Sequence, residues 1–514
     1  MQSQEWRLFR YAGFRIRFPD VAQNDLMSES FNHSNMSLTV MKFGGTSVGD
    51  AERIRQAATI VKAHAQAGND VIVVVSALSQ VTDLILNVLN AARLGDRRVM
   101  EEGLLQFASR HEQVLSDLSL GEELNQVLSD VRATLQRLRE FCSALLLLRV
   151  ATRQVMDVAL PLGEQISARI FEACLNQLEA KGKFVDSARV LVTDDKFGDA
   201  SPDMESTRRR CGEVLLPLLR EGQIPVVMGY SGATHAGQVT TLGRGGSDYS
   251  ATIIGAAMDA DEVWIWTDVD GVLTADPRIC SDAITLPEIT FAEAIELSYY
   301  GAKVIHRKAI RPTMEQGIPV WIKNSFKPEL QGTKIVKSLP PSNRPVKAVT
   351  AVTQASLVTL TTRWDVHFAE VFGRLFLSLG HENIDILFST QSSSEDSLGL
   401  VLREQDTEHV VRSIQKLFRT ELKHGVLNPV EVHKDVAVIA VLGSDMKGTC
   451  GILGRLFSAV ARNDVSVIAV AQGASELNIC FAVTAARANE VIKAVHQEFL
   501  SPGTEKMRPR PKIH

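Results

Sequence analysis

From residue 38 to residue 324, short apolar runs alternate with longer stretches whose apolar residues recur at helical spacing. Residues 38–43 (Leu-Thr-Val-Met-Lys-Phe) read as a strand, and a helix opens near Asp50 with Ile54, Ala57, Ala58 and Val61 on its inner face. Residues 70–77 are apolar almost without interruption, as in a strand buried on both faces of a parallel sheet. Further strands are predicted near residues 184–186, 190–193, 225–229, 262–267 and 320–324. Helices are predicted from Leu162 to about Lys181 and beyond Asp248, the latter with Tyr249, Ile253, Ile254 and Ala257 on one face. Strands alternating with helices predict an α/β fold on a largely parallel sheet, with sites at the strand carboxyl ends. Lys42, Ser76, Gly229 and Thr267 stand at such ends.

Three interruptions divide the chain. Residues 84–160 are leucine-rich, carry several charged pairs and read as a helical insertion. Residues 337–345 form a proline-rich linker that closes an α/β domain over 37–336. Beyond the linker lies an internal repeat: Gly373-Arg374-Leu375-Phe376 recurs as Gly454-Arg455-Leu456-Phe457, and Gln391 recurs as Gln472, both at an offset of 81 residues. Each copy reads strand, helix, strand, strand, helix, strand, which predicts two α+β modules over 346–430 and 431–500. Residues 1–36 mix Arg7, Arg10, Arg15 and Arg17 with Pro19 and lack the apolar core of a signal peptide. They read as a disordered leader, with Met36 as an alternative start. The basic, proline-rich residues 501–514 read as a disordered tail.

Composition narrows the class. A chain of 514 residues is too long for one core, and 45% hydrophobic with 22% charged residues is ordinary for a globular protein. A net charge of −5 offers no general reason to bind nucleic acid or an anionic membrane. The longest apolar runs, at 71–75 and 144–148, fall far short of a membrane span. Six cysteines without a CxxC pair or a histidine cluster predict reduced thiols in the cytoplasm and no zinc site.

The candidate chemistry sits in loops. Residues 240–251 (Thr-Thr-Leu-Gly-Arg-Gly-Gly-Ser-Asp-Tyr-Ser-Ala) place three glycines in four positions around Arg244, and Ser247 and Asp248 are good N-cap residues for the helix that follows. A glycine-rich loop feeding a helix N-terminus suits an anion, and an arginine suits a carboxylate or phosphate. Lys42 precedes Gly44-Gly45-Thr46-Ser47, a strand–glycine turn–helix unit that is neither a Walker A loop nor a dinucleotide fingerprint. Glu164 stands at a helix start. Each has a plainer reading when taken alone: a surface salt bridge for Arg244, an edge-strand charge for Lys42, a dipole-stabilising first-turn carboxylate for Glu164.

Together, these stretches resemble the aspartate kinases from about residue 38 to residue 500. The resemblance rests on Lys42-Phe43-Gly44-Gly45-Thr46-Ser47, on the loop 243–250, on Thr267-Asp268-Val269-Asp270-Gly271 with Asp276-Pro277-Arg278, on Gly301-Ala302-Lys303-Val304, and on paired modules similar to ACT domains. It implies an amino-acid-kinase three-layer sandwich with a largely parallel sheet, followed by two ferredoxin-like ACT domains. The modules look nearest to those of bifunctional aspartate kinase–homoserine dehydrogenases, whose threonine-associated glutamines Gln391 and Gln472 resemble. Because the chain stops near residue 500, it looks like a kinase-only relative.

The implied activity is ATP-dependent phosphorylation of the β-carboxylate of L-aspartate, the first step toward lysine, threonine and methionine. By the resemblance, Lys42 stabilises the transferred phosphoryl group with Gly44 and Gly45, and Asp248 orients the reacting groups. Arg244 takes the α-carboxylate and Glu164 the α-ammonium, while Thr46, Thr82, Phe197 and Ser247 complete the substrate pocket. Thr267, Asp268, Arg278 and Lys303 belong to the nucleotide site, and Mg²⁺ bridges ATP oxygens with no protein ligand assigned. A threonine or lysine effector, and a homodimer or homotetramer through the ACT domains, are implied as well.

The chain departs from the family pattern at Ser79-Gln80, at Leu273 and at Arg307. Residues 364–368 lack the glycine that opens the first ACT helix, whereas the second module keeps Gly448 and Gly451, so an effector site is expected to be asymmetric. Two other readings remain: a kinase of the same fold for N-acetylglutamate or carbamate, and a catalytically silent ACT sensor. A free α-amino acid needs both Arg244 and Glu164, which speaks against the first. Intact Lys42, Asp248 and Lys303 speak against the second.

Overall fold

The computed structural model describes residues 37–501 other than 122, 303–304, 343, 363–367, 383 and 393–396. The leader, the tail beyond Ser501, Lys303 and the glycine-less stretch before Phe368 therefore lie outside the described residues.

The α/β part contributes β1 (Leu38–Phe43), β2 (Asp70–Val75), β3 (Gly182–Val185), β4 (Val192–Thr193), β5 (Ile224–Met228), β6 (Ser231–Thr234), β7 (Val239–Thr241), β8 (Glu262–Thr267), β9 (Glu288–Thr290), β10 (Val320–Asn324) and β11 (Thr333–Val336). Eight of these form one sheet in the order β3-β5-β2-β1-β8-β10-β11-β9, parallel throughout except for the β10–β11 pair. Side chains alternate across it. Val40, Ile72 and Val74 pack on one face beneath the helices Met204–Arg220 and Gly246–Ala257. Met41, Phe43, Val71, Val73 and Val75 pack on the other, beneath Ala51–Gln66 and Leu162–Gln177. Burial on both faces explains the near-continuous apolar reading of β2. The result is a three-layer α/β/α sandwich.

Two differences from the sequence reading have local causes. In the stretch 190–193 only Val192 and Thr193 are extended, because a 3₁₀ turn at Ser187–Arg189 precedes them. Strands β6 and β7 (Ser-Gly-Ala-Thr and Val-Thr-Thr) are too short and polar to announce themselves, and they pair with β4 as a small second sheet. The insertion is helical, running through Val81–Leu94, Arg97–Leu118, Glu123–Leu148 and Arg153–Ala159.

The C-terminal part adds β12 (Ala348–Thr361), β13 (Ile386–Ser392), β14 (Ser397–Arg403), β15 (Glu431–Leu442), β16 (Ala469–Gln472) and β17 (Asn478–Thr484). They build one antiparallel sheet, β13-β14-β12-β15-β17-β16. Strand pairing crosses the boundary expected at 430–431. Ala355–Thr361 of β12 pair with β14, whereas Ala348–Val352 pair with Val438–Leu442 of β15, the half that also pairs with β17. The second copy therefore does not end in a strand of its own. Its last element is the helix Ala488–Phe499, and residues 348–352, at the start of the first copy, stand beside its first strand. Each long strand serves both modules.

The helices of these modules cover one face of that sheet, and the other face packs on the helix Phe291–Tyr299. Here Glu293, 1% exposed, accepts from Lys347 Nζ at 3.1 Å and from the Ser444 amide at 2.8 Å. Tyr299 donates to the Ile386 carbonyl and Glu296 accepts from Asn478. Among the described residues no helix is long and apolar enough to cross a membrane.

Candidate active site

The site forms where β1, β2 and β5 end. Lys42 is the last even-numbered residue of β1, so it points to the same face as Val40, toward the helix Gly246–Ala257. There its Nζ meets Asp248 Oδ1 at 2.6 Å, with the lysine only 8% exposed. A β-carbon on Gly45 would stand 2.9 Å from the Ala77 carbonyl, so glycine lets this turn lie directly on the loop after β2. The helix is capped by Gly245 in the left-handed region (φ 70°), not by Ser247 or Asp248, which fall in its first turn. Asp248 therefore sits where the helix dipole favours an acid. The turn between Leu242 and Gly246 requires left-handed backbone at both Gly243 and Gly245, and that requirement overrides side-chain capping preference.

Glu164 opens the helix Leu162–Gln177 and is 3% exposed. A β-carbon on Gly163 would stand 3.0 Å from Ala77 and Val81, so the glycine brings the carboxyl group under the loop after β2. Thr82 Oγ1 donates to Glu164 Oε1 at 3.5 Å. Burial pushes the carboxyl up to about 7, and the backbone donors at Glu164 and Ala77, the Thr82 hydroxyl and the Lys42 charge only partly pull it back. Among the described residues its second oxygen has no hydrogen-bond partner. Glu164 lines a cleft, where a buried carboxyl group with an unsatisfied oxygen suits a ligand cation.

That cleft has a volume of about 500 Å³. It gathers Lys42, Gly45, Thr82, Glu164, Arg244, Ser247 and Asp248, which come from four separate stretches of chain. Ser247 fits because position 229 is glycine; a β-carbon there would lie 2.8 Å from Ser247 Cβ and Oγ. Sequence reasoning missed Gln80 and Tyr230, which also line the cleft. Both take left-handed backbone (φ 65° and 74°), a conformation that residue type alone does not announce.

Other residues implied by the resemblance lie apart from this cleft. Thr46, although next to Gly45, does not line it, and its carbonyl accepts from Arg53 at 3.1 Å. Phe197 lines a second hollow of about 470 Å³ with Thr152, Arg153 and Lys196, while its neighbour Gly198 lines the first. Gly44 turns away, donating its amide to the Trp266 carbonyl at 3.2 Å. Thr267 ends β8 next to β1 and bonds Asp268 at 3.1 Å. Arg278, its side chain 87% exposed, pairs with Asp276 at 2.6 Å. Gln391 and Gln472 occupy matching places on the sheet's two edge strands, opposite Leu398 and Ile479. Among the described residues no group of three or more His, Cys, Asp or Glu side chains is arranged to hold a metal.

Comparison with known proteins places this geometry. Residues 37–324 match the model of the amino acid kinase family, and residues 439–499 match an ACT domain. Lysine-sensitive aspartokinase 3 of Escherichia coli is 31% identical over 464 residues, covering 89% of this chain and 98% of that protein. The chain belongs to the aspartokinase family. Among aspartokinases of known structure, E. coli aspartokinase III in complex with aspartate and ADP superposes with a TM-score of 0.75 at 29% identity, covering 90% of this chain and 99% of that one. The chain is also 32% identical over 475 residues to a chloroplastic bifunctional aspartokinase/homoserine dehydrogenase of Zea mays, and spans 50% of its length. This aspartokinase-family chain thus has the amino-acid-kinase fold followed by a C-terminal part of ACT type.

Proposed function

We propose that this chain transfers the γ-phosphoryl group of ATP to the β-carboxylate of L-aspartate, giving 4-phospho-L-aspartate and ADP. The observation that carries the proposal is one cleft with Arg244 and buried Glu164 offering opposite charges and Lys42 held beside them. An α-amino acid presents an anion and a cation that match Arg244 and Glu164. The β-carboxylate then faces Lys42.

The nucleophile is already ionised at neutral pH, so the site needs no strong base. A β-carboxylate oxygen forms a bond to the γ-phosphorus, the bond from that phosphorus to the β-bridging oxygen breaks, and the electron pair leaves with ADP. The obstacle is the approach of one anion to another, which positioning and fixed positive charge reduce. Lys42 supplies that charge where the phosphoryl group passes, and the Asp248 carboxylate holds its ammonium in place. The amides at the start of the helix Gly246–Ala257 add donors facing the same space. Thr267, Asp268, Arg278 and Lys303 would bind the nucleotide, and Mg²⁺ would arrive on its phosphate oxygens.

The effector reading is lysine or threonine at the ACT-type modules, with Gln391 and Gln472 as candidate contacts. Support comes from the relative named for lysine sensitivity. Assembly as a homodimer or homotetramer through the ACT-type modules is part of this reading, and the position of β13 and β16 at the two edges of their sheet supports it. Six free cysteines suit a cytoplasmic setting.

The test is ADP release measured with L-aspartate, N-acetyl-L-glutamate and carbamate as alternative acceptors in MgATP. Turnover confined to aspartate supports the proposal. Turnover with another acid assigns a different same-fold kinase, and none at all with lysine or threonine raising the melting temperature assigns a sensor.

A further inference from the structure

Asp157 lies outside the cleft, yet it is the most enclosed carboxyl group near it, at 1% exposure on the helix Arg153–Ala159. Among the described residues no lysine, arginine or histidine pairs with it. Both of its oxygens are used instead as acceptors. Oδ2 takes the Gly198 amide at 2.8 Å and the Thr241 amide at 2.9 Å, and Oδ1 takes the Thr241 hydroxyl at 2.7 Å. Burying an acid is costly unless hydrogen bonds satisfy it, as the donors of Gly198 and Thr241 do here. The question is what these partners hold.

Thr241 ends β7 and stands three residues before Arg244, and Gly198 itself lines the cleft. Between Thr241 and the helix at Gly246, the chain passes through two left-handed glycines, Gly243 (φ 79°) and Gly245 (φ 70°). Such a loop has little intrinsic stiffness, so the direction of Arg244 depends on where its root is fixed. The Thr241 carbonyl is fixed as well, accepting from the Ala200 amide at 2.9 Å. Lys308 closes the far side, with Nζ 2.7 Å from Asp199 Oδ1 and 3.0 Å from the Ala200 carbonyl. The helix of Asp157 is followed, after Leu160 and Pro161, by the helix that begins at Leu162 and carries Glu164.

We infer that Asp157 is a positioning residue that sets the spacing between Arg244 and Glu164, and so selects an α-amino acid acceptor by its α-carboxylate. This rests on the aspartate kinase reading above. The short helix that bears Asp157 anchors the loop carrying the guanidinium for the carboxylate, and the next helix, two residues further on, bears the carboxyl group for the ammonium. The two charges of the substrate are thereby measured against two consecutive helices joined by only Leu160 and Pro161.

The test compares L-aspartate with β-alanine, which keeps the reacting carboxylate and the amine but lacks the α-carboxylate. The proteins are wild type, Asp157→Asn, Thr241→Val, which removes only the hydroxyl donor, and Thr241→Ser, which restores it. Loss of a hydrogen bond to a charged group should raise the aspartate KM about 10- to 100-fold in Asp157→Asn and about 3- to 10-fold in Thr241→Val. The MgATP KM should stay within about twofold, and the preference for aspartate over β-alanine should shrink by the same factor as the aspartate KM rises. Thr241→Ser should behave as wild type. If Asp157→Asn does not fold, the Thr241 pair decides. Unchanged aspartate KM and unchanged preference in a wild-type enzyme that does turn over aspartate would overturn this inference alone. No aspartate turnover in wild type would overturn the kinase reading and the inference with it.

Discussion

Lys42 and Asp248 meet at 2.6 Å although one ends the first strand and the other stands in the first turn of a helix far along the chain. The pair joins the two glycine loops of the cleft. It also has a functional reading, because a lysine fixed by an acid remains a stationary positive charge while phosphoryl transfer proceeds. Lys42→Ala should lower kcat by about 10²–10³-fold, the range found when one preorganised donor is removed from a transition state. The aspartate KM should change less. Steady-state kinetics at saturating MgATP check this, with Asp248→Asn expected to fall between the two.

Glu164 sets a pH dependence. Its carboxyl is pushed up to about 7 by burial, so a large share of the free protein holds a proton there at neutral pH. Binding an α-ammonium needs the carboxylate, so kcat/KM for aspartate should rise as pH increases toward about 7 and level off above it. Glu164→Gln should remove that inflection and weaken aspartate about tenfold or more.

The same group affects stability with a definite sign. Its folded value lies above the ordinary 4.5, so the contribution of the protonated form is complete below pH 4.5 and is lost as pH rises through about 7. Wild type should therefore lose melting temperature between pH 5 and pH 8 relative to Glu164→Gln, measured side by side without ligand.

Gly229 is tested by adding one methyl group. A β-carbon there would lie 2.8 Å from Ser247 Cβ and 3.1 Å from its Cα, so Gly229→Ala must push the start of the Asp248 helix. The expected cost is about 1–3 kcal/mol of stability, read as a lower urea midpoint. The loss in kcat/KM should exceed the loss in stability, because the displaced turn carries Ser247 and Asp248.

Glu293 joins the α/β part to the modules. Burial alone would raise its carboxyl, but Lys347 and the amides of Thr290 and Ser444 hold it below the usual range. Glu293→Ala leaves Lys347, its side chain 13% exposed, without its partner and breaks the capping box with Thr290, at about 3 kcal/mol. Its contribution is present above the ordinary carboxylate pKa and lost on acidification. The variant should show a lower melting temperature at pH 7 and a smaller difference from wild type near pH 4.

The fold was largely legible in sequence because the strands of a parallel sheet are continuous apolar runs, as residues 71–75 are, and the glycine loops stand at their ends. Lys42, Arg244 and Asp248 stood out beside those glycine loops, whereas Glu164 read alone as a dipole-stabilising first-turn carboxylate and gained a role only through the family resemblance. The cap at Gly245 was not, because the left-handed turn, rather than the side-chain preference of Ser247, decides it. Gln80 and Tyr230 were hidden by backbone conformations that no residue type signals. Asp157 was hidden because a polar residue in a short helix reads as solvent-facing until the strand that covers it is placed. The double use of β12 and β15 was invisible because a strand long enough for two modules has the same pattern as one that serves a single module.

The most direct test of the account is to trap the product with hydroxylamine in the presence of MgATP and L-aspartate, and to identify the hydroxamate by mass spectrometry in wild type and Lys42→Ala. The account predicts aspartate β-hydroxamate from wild type and at least a hundredfold less from the variant, in line with the loss of one fixed charge. Wild type that yields no β-hydroxamate, or a variant that yields as much as wild type, would contradict it.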